Sequence, residues 1–270
     1  MTNKANKPMK VTVQIGNTGS PSHNSRNFNI ISASHIDESR SHLNHYISTY
    51  PDLKYNFVET EKRFYRVNFS DWLKDINAKA IKQYHPERKK TSEDLRKGRN
   101  TKPQEVIYQI GNKDIAPTST EFRIWNNELI KYQSKLTKEN LFILDGAIHN
   151  DEATPHAHIR QVWVYHDKNE DGKELLKIGK RKAMIELGLP LPNPEKPEGQ
   201  YNNRLMTYTR LIREEGERLA IEMGFNIDVE HSKRPHMSKE AYIRYITSRE
   251  YENKVLKQIE QNQKFNQQDR

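Results

Sequence analysis

The most constraining feature of this sequence is a polar segment, residues 149–158, that lies between two apolar segments. The apolar residues 141–148 and 159–165 are typical of buried strands, because each is a short run rich in aliphatic and aromatic side chains. The segment between them carries charged and amide side chains together with Pro155, so it cannot continue a strand and indicates a turn. The sequence therefore predicts a β-hairpin at this point.

Four side chains that commonly bind metal ions lie in this polar segment, namely His149, Glu152, His156 and His158. Alternate side chains of an extended strand share a face, so His156 and His158 are expected to point the same way. His149 ends the partner strand and can reach the same point, and Glu152 lies in the turn. Three imidazoles and a carboxylate that converge in this way can hold a divalent metal ion. A single histidine is more often a solvated or core residue, but three at this spacing favour a metal site.

The spacing excludes two common kinds of zinc site. In the helical hydrolase signature, two histidines lie four residues apart on one helix face with a glutamate between them. Here Pro155 and the single residue between His156 and His158 require a strand instead. A closed structural zinc site is normally rich in cysteine, and this chain has no cysteine.

A second group of reactive side chains follows residues 10–15, which read as a short strand. His23, Asn24, Ser25 and Arg26 lie together in a segment rich in glycine, serine, asparagine and proline. These residue types also form ordinary surface turns, so the composition alone does not separate a turn from a catalytic loop.

Together the two motifs resemble those of the MobV (Mob/Pre) relaxases of the HUH endonuclease superfamily, plasmid mobilisation and recombination enzymes that nick one DNA strand. The pattern His-Asn-x-Arg near the N-terminus is followed downstream by His-x-Asp-Glu-x-x-Pro-His-x-His, and both occur in this chain. Weaker resemblance extends over most of residues 10–245 and includes the segments 35–46, 107–111, 201–204 and 234–238.

The resemblance implies an α/β fold with a central, mainly antiparallel HUH-type sheet, helices packed on one face, the metal hairpin in the middle, and C-terminal helices. It also implies a relaxase domain over residues 1–235 and a polar helical extension over residues 236–270. Such an enzyme nicks origin-of-transfer DNA by transesterification and later rejoins the strand, during conjugative mobilisation of a plasmid or mobile element.

The resemblance further implies that His23 is the nucleophile and becomes joined to the 5′ phosphate at the nick. A neutral imidazole can attack near pH 7, whereas a phenol with a pKa of about 10 must first lose its proton. Most HUH enzymes nevertheless use tyrosine, so Tyr46 is the alternative nucleophile. Arg26 is expected to pair with the phosphate or the leaving oxygen. The acid that orients His23 stays open among Glu105, Asp114 and Glu121.

The expected cofactor is a divalent metal ion, Mn²⁺ or Mg²⁺. Phosphate oxygens favour a hard, hydrated ion, and three imidazole ligands shift the preference towards Mn²⁺ and later metals. The ion would bind non-bridging oxygens of the scissile phosphate and neutralise charge in the transition state.

The composition favours a polyanionic partner, since the net charge is +9 and the isoelectric point is about 9.4. DNA is therefore the expected partner, as an origin hairpin and as the single strand at the nick. A homodimer and a conjugation coupling protein are further expected partners. The candidate DNA contacts are Asn24, Arg88, Lys89, Lys90, Arg99, Lys180, Arg181, Lys182 and Arg204.

No membrane insertion is expected, because the sequence contains no long apolar run, signal peptide or lipidation motif. The absence of cysteine fits a reducing compartment, so the expected location is the cytoplasm.

Hydrophobic periodicity and capping residues predict the remaining elements. Helices are expected over residues 39–49, 70–84, 118–136, 202–223 and 238–265, strands over 55–59 and 105–110, and a flexible basic connection over 87–102. Thr118 or Ser119 is the expected N-cap of the third helix.

Three other functions compete with the relaxase. A rolling-circle replication initiator shares the HUH site and differs in the DNA that it recognises. A metal-dependent nuclease cleaves with water and forms no covalent adduct. A non-catalytic DNA-binding protein would keep its function after alanine replaces His156 and His158.

Overall fold

The structure is a computed structural model, and it describes residues 7–16, 20–29, 33, 35–229, 244 and 250–268. Its centre is a six-stranded sheet in the order β1-β3-β5-β4-β2, with β6 paired to β5. Every pair of neighbouring strands is antiparallel. The strands are β1 (Val11–Gly16), β2 (His45–Ser48), β3 (Gln104–Ile110), β4 (Leu141–His149), β5 (His156–Lys168) and β6 (Glu174–Ile178).

The predicted β-hairpin around residues 149–158 is confirmed and lies in the middle of the sheet. β4 and β5 pair so that His149 stands opposite His156 and Ile148 stands opposite Ala157. β5 also pairs with β3 on its other side, and its outer half pairs with β6. Neighbouring strands therefore flank the hairpin on both sides, and its polar turn emerges at one end of the sheet.

One face of the sheet is covered by two long helices, α5 (Ser119–Thr137) and α7 (Arg204–Glu222). They enclose the larger hydrophobic core, in which Trp125 and Tyr208 are fully buried against strand residues such as Ile159. Thr118 caps α5, as predicted, and its side chain and that of Glu121 form a reciprocal capping box.

The prediction that helices cover one face of the sheet is wrong, because helices also cover part of the opposite face. There α2 (Phe57–Asn68) and α4 (Ser92–Lys97) bury Phe64 and Leu95 against Val162 and Val164 of β5. Side chains of β5 alternate between the two cores, so this strand is buried on both sides.

A buried charged network ties α2 to the same face of the sheet. Arg160 of β5 donates to Asp145 of β4 and to Glu61 of α2. Glu61 also accepts a hydrogen bond from Arg96 of α4 at 2.8 Å. The paired charges hold these helices beside the histidines that precede Arg160 on β5.

Two predictions of local structure fail at the N-terminal half. The helix expected over residues 39–49 is a 3-10 turn, Glu38–Leu43, followed by strand β2, because pairing with β4 overrides local propensity. The strand expected over residues 55–59 is the start of α2, where the Asn56 side chain caps the helix.

The basic connection expected over residues 87–102 is partly ordered. It contains a 3-10 turn, Pro86–Arg88, and helix α4, which begins at a capping box formed by Thr91 and Asp94. Strand β6 and the short helix that follows it, α6 (Lys180–Glu186), were not predicted. Helix α3 (Ser70–Lys82) agrees with the helix expected over residues 70–84, and β3, α5 and α7 agree with their predictions.

Residues 230–243 lie outside the described part of the chain, and with them the expected domain boundary after residue 235 and the segment 234–238. The C-terminal helix α8 (Glu250–Gln268) buries Val255 and Ile259 in the larger core. Asn262 donates to the carbonyl of Gly188 at 2.7 Å. Within the described residues, no helix is long and apolar enough to cross a membrane.

Candidate active site

The three histidines of the hairpin lie together on the face of the sheet that packs against α2 and α4. These helices cover only part of that face. The ring centroids of His149 and His156 are 5.4 Å apart, those of His149 and His158 5.1 Å, and those of His156 and His158 4.9 Å. The cluster forms because His149 and His156 are direct partners across the β4–β5 ladder, whereas His156 and His158 share a strand face.

One nitrogen of each ring is held by an oxygen that can only accept, so that nitrogen carries the proton. The partners are the Asn24 carbonyl for His149 Nε2 at 2.9 Å, the Thr154 carbonyl for His156 Nδ1 at 2.9 Å, and the Glu105 carboxylate for His158 Nδ1 at 3.0 Å. The opposite nitrogen of each neutral ring therefore carries a lone pair. Metal-binding histidines are usually anchored in this way.

His149 gives the clearest sign that the cluster is built for a ligand. Its ring is fully buried, and its Nδ1 atom has no hydrogen-bond partner among the described residues. Burial lowers the pKa of His149 to about 2, and burial also lowers the pKa of His156. Both rings are thus neutral at pH 7, with a lone pair available for a cation.

Glu152 lies beside two of these rings. Its carboxylate is 3.6 Å from His149 Nδ1 and 3.8 Å from His156 Nε2, and its side chain is 19% exposed. His149, Glu152 and His156 form one group whose ligand atoms all lie within 4.8 Å of one another, and His23, His149 and His158 form another. Both groups share His149, so the donor set fits a divalent metal ion bound at this point.

The structure brings His23 to this cluster from a distant part of the chain. It lies in a short helix, α1 (Pro21–Asn24), and its ring is edge-on to His149 and His158 at centroid distances of 5.8 and 6.1 Å. Phe28 stacks on the ring at 5.5 Å with an interplanar angle of 15°. Burial and the nearby Arg26 lower the pKa of His23, so its imidazole is neutral at pH 7.

Arg26 is engaged by carboxylates rather than held free for a ligand. Its Nη2 donates to Asp151 at 2.6 Å and to Glu152 at 2.7 Å, and its Nε donates to Asp151 at 3.1 Å. Its Nη1 lies 3.3 Å from Nε2 of His23. Because a guanidinium only donates, this contact leaves the proton of His23 on Nδ1. The expected pairing of Arg26 with a phosphate stays a prediction.

Asp151 joins three separate segments, and sequence reasoning did not assign it a role. Besides the two bonds from Arg26, its Oδ2 accepts from Ser41 at 3.0 Å and from Asn44 at 2.6 Å. These bonds outweigh the effect of burial and lower the pKa of Asp151 to about 2. Asp151 therefore anchors the arginine, whereas Glu152 contacts both the arginine and two of the histidines.

Glu105 is the one of the three candidate acids that reaches the motif loop. Its Oε1 accepts from Asn24 Nδ2 at 2.6 Å as well as from His158. It therefore orients a metal-site histidine and the residue next to His23, instead of His23 itself. Glu121 is part of the cap of α5, and Asp114 is exposed in a turn.

Asn24 and Tyr46 differ from their expected surroundings. Asn24 is 1% exposed, with its amide on Glu105 and its carbonyl on His149, so it positions the loop and is not open to DNA. Tyr46 lies on β2, where its ring packs against Phe57 at 6.3 Å. Burial raises its pKa, which makes the phenol a poorer nucleophile near neutral pH.

The predicted DNA contacts fall into separate places. Arg88, Lys89 and Lys90 are exposed after α3, and Arg204 pairs with Glu198 at the start of α7. Arg99 lines the same cavity as residues 180–182, although the two segments are far apart in sequence.

No protein-family model matches the chain, and no curated protein matches it. Among solved structures, the chain is similar to the MobM relaxase domain (MOBV; Mob_Pre), a protein described as bound to plasmid oriT DNA and Mn. One such structure is 20% identical, covers 88% of this chain and 100% of its own, and has a TM-score of 0.45. Another is 19% identical over the same shares, with a TM-score of 0.44. At these values the similarity by itself assigns neither a family nor a function.

Proposed function

We propose that this protein is a metal-dependent DNA relaxase of the HUH class that nicks one strand at an origin of transfer. The observation that carries the proposal is the cluster itself, in which the neutral His23 lies against three anchored histidines and a carboxylate. The resemblance of the two sequence motifs to MobV relaxases supports the same assignment. The net charge of +9 agrees with a DNA substrate.

His149, His156, His158 and Glu152 would hold the metal ion, with Mn²⁺ or Mg²⁺ the expected species. A bound divalent ion supplies positive charge to the non-bridging oxygens of the scissile phosphate. The protein supplies the anchors that orient these ligands, namely the carbonyls of Asn24 and Thr154 and the carboxylate of Glu105.

His23 would act as the nucleophile through Nε2, the nitrogen that carries the lone pair. Nε2 forms a bond to phosphorus while the bond from phosphorus to the 3′ oxygen breaks. The proton that Nδ1 releases balances the one that the 3′ oxygen takes up as it becomes a hydroxyl. The 5′ end is then a phosphoramidate on His23, and a 3′ hydroxyl can reverse the step without ATP.

Two features would prepare His23 for this attack. The stacked Phe28 fixes the plane of the imidazole, and Arg26 fixes the tautomer by donating to Nε2. Arg26 would have to turn from Nε2 as the phosphate enters, and its short bonds to Asp151 keep the guanidinium beside the reacting atoms. The buried Tyr46 is the weaker candidate for the nucleophile.

The experiment that tests the proposal is trapping of the covalent adduct. Purified protein is incubated with Mn²⁺ and labelled DNA that carries a candidate origin, and the products are run on a denaturing gel before and after mild acid. We expect an acid-labile adduct that His23→Ala loses and Tyr46→Phe keeps. An acid-stable adduct that Tyr46→Phe loses would move the nucleophile to tyrosine.

The same experiment separates the relaxase from its alternatives. Nicking of a verified origin without any adduct would leave a metal-dependent nuclease, and activity after complete chelation would remove the metal from the mechanism. A rolling-circle initiator would form the same adduct but prefer a replication origin. Cytoplasmic plasmid DNA is the proposed substrate, and a homodimer or a coupling protein would be a further partner.

A further inference from the structure

Two basic segments that are far apart in sequence form the walls of one cavity of about 540 Å³. One wall is residues 99–102, which precede β3, and the other is residues 179–182, which follow β6. The cavity lies beside β5, where the register leaves a step in the sheet. The first residue of β3 pairs with Gln161, and the last residue of β6 pairs with Val164.

The cavity is strongly cationic. Arg99, Lys102 and Lys180 line it and make no ion pair with any residue that the structure describes. Arg181 and Lys182 line it too, although Arg181 pairs with Glu198 at 2.8 Å and Lys182 lies 3.8 Å from Asp167. Three uncompensated cations around one concave site favour an anion.

The floor of the cavity provides a fixed hydrogen-bond donor. Gln104 is 7% exposed, and its Oε1 accepts from Trp163 Nε1 at 3.0 Å and from Gln161 Nε2 at 3.2 Å. Two donors on Oε1 fix the orientation of the amide, so Nε2 is the atom left for a ligand. It has no hydrogen-bond partner in the described part of the chain.

The amide of Gln104 is also held rigidly. Gln161 is itself fixed, because its Oε1 accepts from Gln133 of α5 at 2.7 Å, and Tyr108 donates to Gln133 at 2.9 Å. A donor that is oriented by a satisfied chain of hydrogen bonds, with uncompensated cations around it, can form a charge-assisted hydrogen bond to a phosphate.

The cavity is separate from the candidate active site. His158 and Trp163 are five positions apart on β5, about 17 Å along the strand, and their side chains point to opposite faces of the sheet. That distance equals about five base-pair steps of a duplex. A DNA phosphate in the cavity would therefore lie outside the nick.

We propose that this cavity binds a backbone phosphate of the DNA that flanks the nick, with Gln104 as the fixed donor and Lys102 and Lys180 as the main cations. This inference rests on the proposed function for the role of the DNA, but binding itself does not require nicking. A phosphate contact is independent of sequence, so the site sets the position and orientation of the DNA.

The sharpest test is Gln104→Glu. The carboxylate still accepts from Gln161 and Trp163, which preserves the floor, but the donor to a phosphate becomes a negative charge. Binding of a fluorescent 30-mer of random sequence, single-stranded or duplex, is measured by anisotropy in EDTA at increasing salt concentrations. We expect affinity at low salt to fall by at least about ten-fold, because one hydrogen bond to a charged group is lost and a negative charge faces the phosphate.

A charge-removal pair provides the second measurement. In Lys102→Ala/Lys180→Ala, the slope of log K against log salt should decrease by about 1.4 for a single strand, because two phosphate contacts are lost. The matched control is Lys113→Ala/Lys196→Ala, which removes two exposed charges that do not line the cavity and should leave the slope unchanged. Thermal melting of each variant checks that the fold is intact.

The inference is overturned if Gln104→Glu and the double variant bind DNA as the wild type does. It is also overturned if inorganic phosphate binds the cavity and the variants lose that binding while DNA affinity is unchanged. A wild type that never nicks, but whose DNA binding depends on Gln104, would contradict the proposed function and leave this cavity assigned. If the wild type nicks DNA and every variant binds DNA normally, the proposed function would stand and the assignment of this cavity would fail.

Discussion

The substitution Asp151→Asn tests whether the motif loop and the hairpin turn form one structural unit. Asp151 is fully buried and accepts two bonds from Arg26, at 2.6 and 3.1 Å, and one each from Ser41 and Asn44. The amide has the same size but keeps only one acceptor oxygen and has no charge. It would face the guanidinium of Arg26 with an NH₂ group.

The expected cost follows from the burial of the pair. The Arg26 side chain is 5% exposed and that of Asp151 is 0% exposed, so the arginine loses its best partner without gaining water. Removal of one member of a buried ion pair costs about 3–5 kcal/mol. Glu152 still pairs with Arg26 at 2.7 Å, so we expect a value near the lower end.

The assay is urea unfolding of the metal-free wild type and variant at pH 7, with Glu152→Gln as the matched control. Glu152 accepts one bond from Arg26 and is partly exposed, so its amide variant should cost about 1 kcal/mol. A loss below about 1 kcal/mol for Asp151→Asn, or equal losses for both variants, would refute the idea that Asp151 is the main anchor of Arg26.

Three further outcomes follow from individual contacts. Glu105→Gln should weaken Mn²⁺ binding by about 10–100-fold in calorimetry, because the charge that holds His158 is lost; unchanged affinity would contradict this role. In the metal-free protein, His149 should remove about 1.4 kcal/mol of stability per pH unit below about pH 6.5, because folded His149 stays neutral while the unfolded chain takes up a proton. The lowered pKa values of His23 and His156 add to this slope. The variant His149→Gln should show a weaker dependence, and an equal slope would exclude this histidine as the cause. Gly188→Ala should lower the free energy of unfolding by about 1–3 kcal/mol and expose α8 to proteases. The backbone φ of Gly188 is +79°, and a Cβ there would lie 2.8 Å from the Ile259 carbonyl oxygen. Full protection of α8 from proteolysis in this variant would count against the packing.

The hairpin and the grouping of its three histidines could be predicted because they depend on local order. The strand period of two places His156 and His158 on one face, and a turn after β4 brings back His149. The helix cap at Thr118 could be predicted for the same reason, because Thr118 and Glu121 are only three residues apart. The one at Thr91 was also present in the sequence, but the surrounding lysines and arginines suggested a flexible segment instead.

The remaining features depend on contacts between distant segments, which no local pattern encodes. Asp151 bonds to residues more than 100 positions away, so its adjacency to Glu152 gave no indication of its role. Strand β2 is extended because it pairs with β4, whereas its own residues do not require an extended conformation. The shared cavity of the two basic segments arises from where β3 and β6 end along β5.

The anchors of the proposed metal site are the same groups that place His23, the proposed nucleophile. Asn24 gives its carbonyl to His149 and its amide to Glu105, and Glu105 also holds His158. A displacement of the motif loop therefore alters ligand orientation and the position of His23 together. Losses in Mn²⁺ affinity from Asn24→Ala and Glu105→Gln should be clearly non-additive, because Asn24→Ala already removes one of the hydrogen bonds that hold Glu105 in place. Additive losses would mean that loop and metal site are positioned independently, and the nucleophile would then need another anchor.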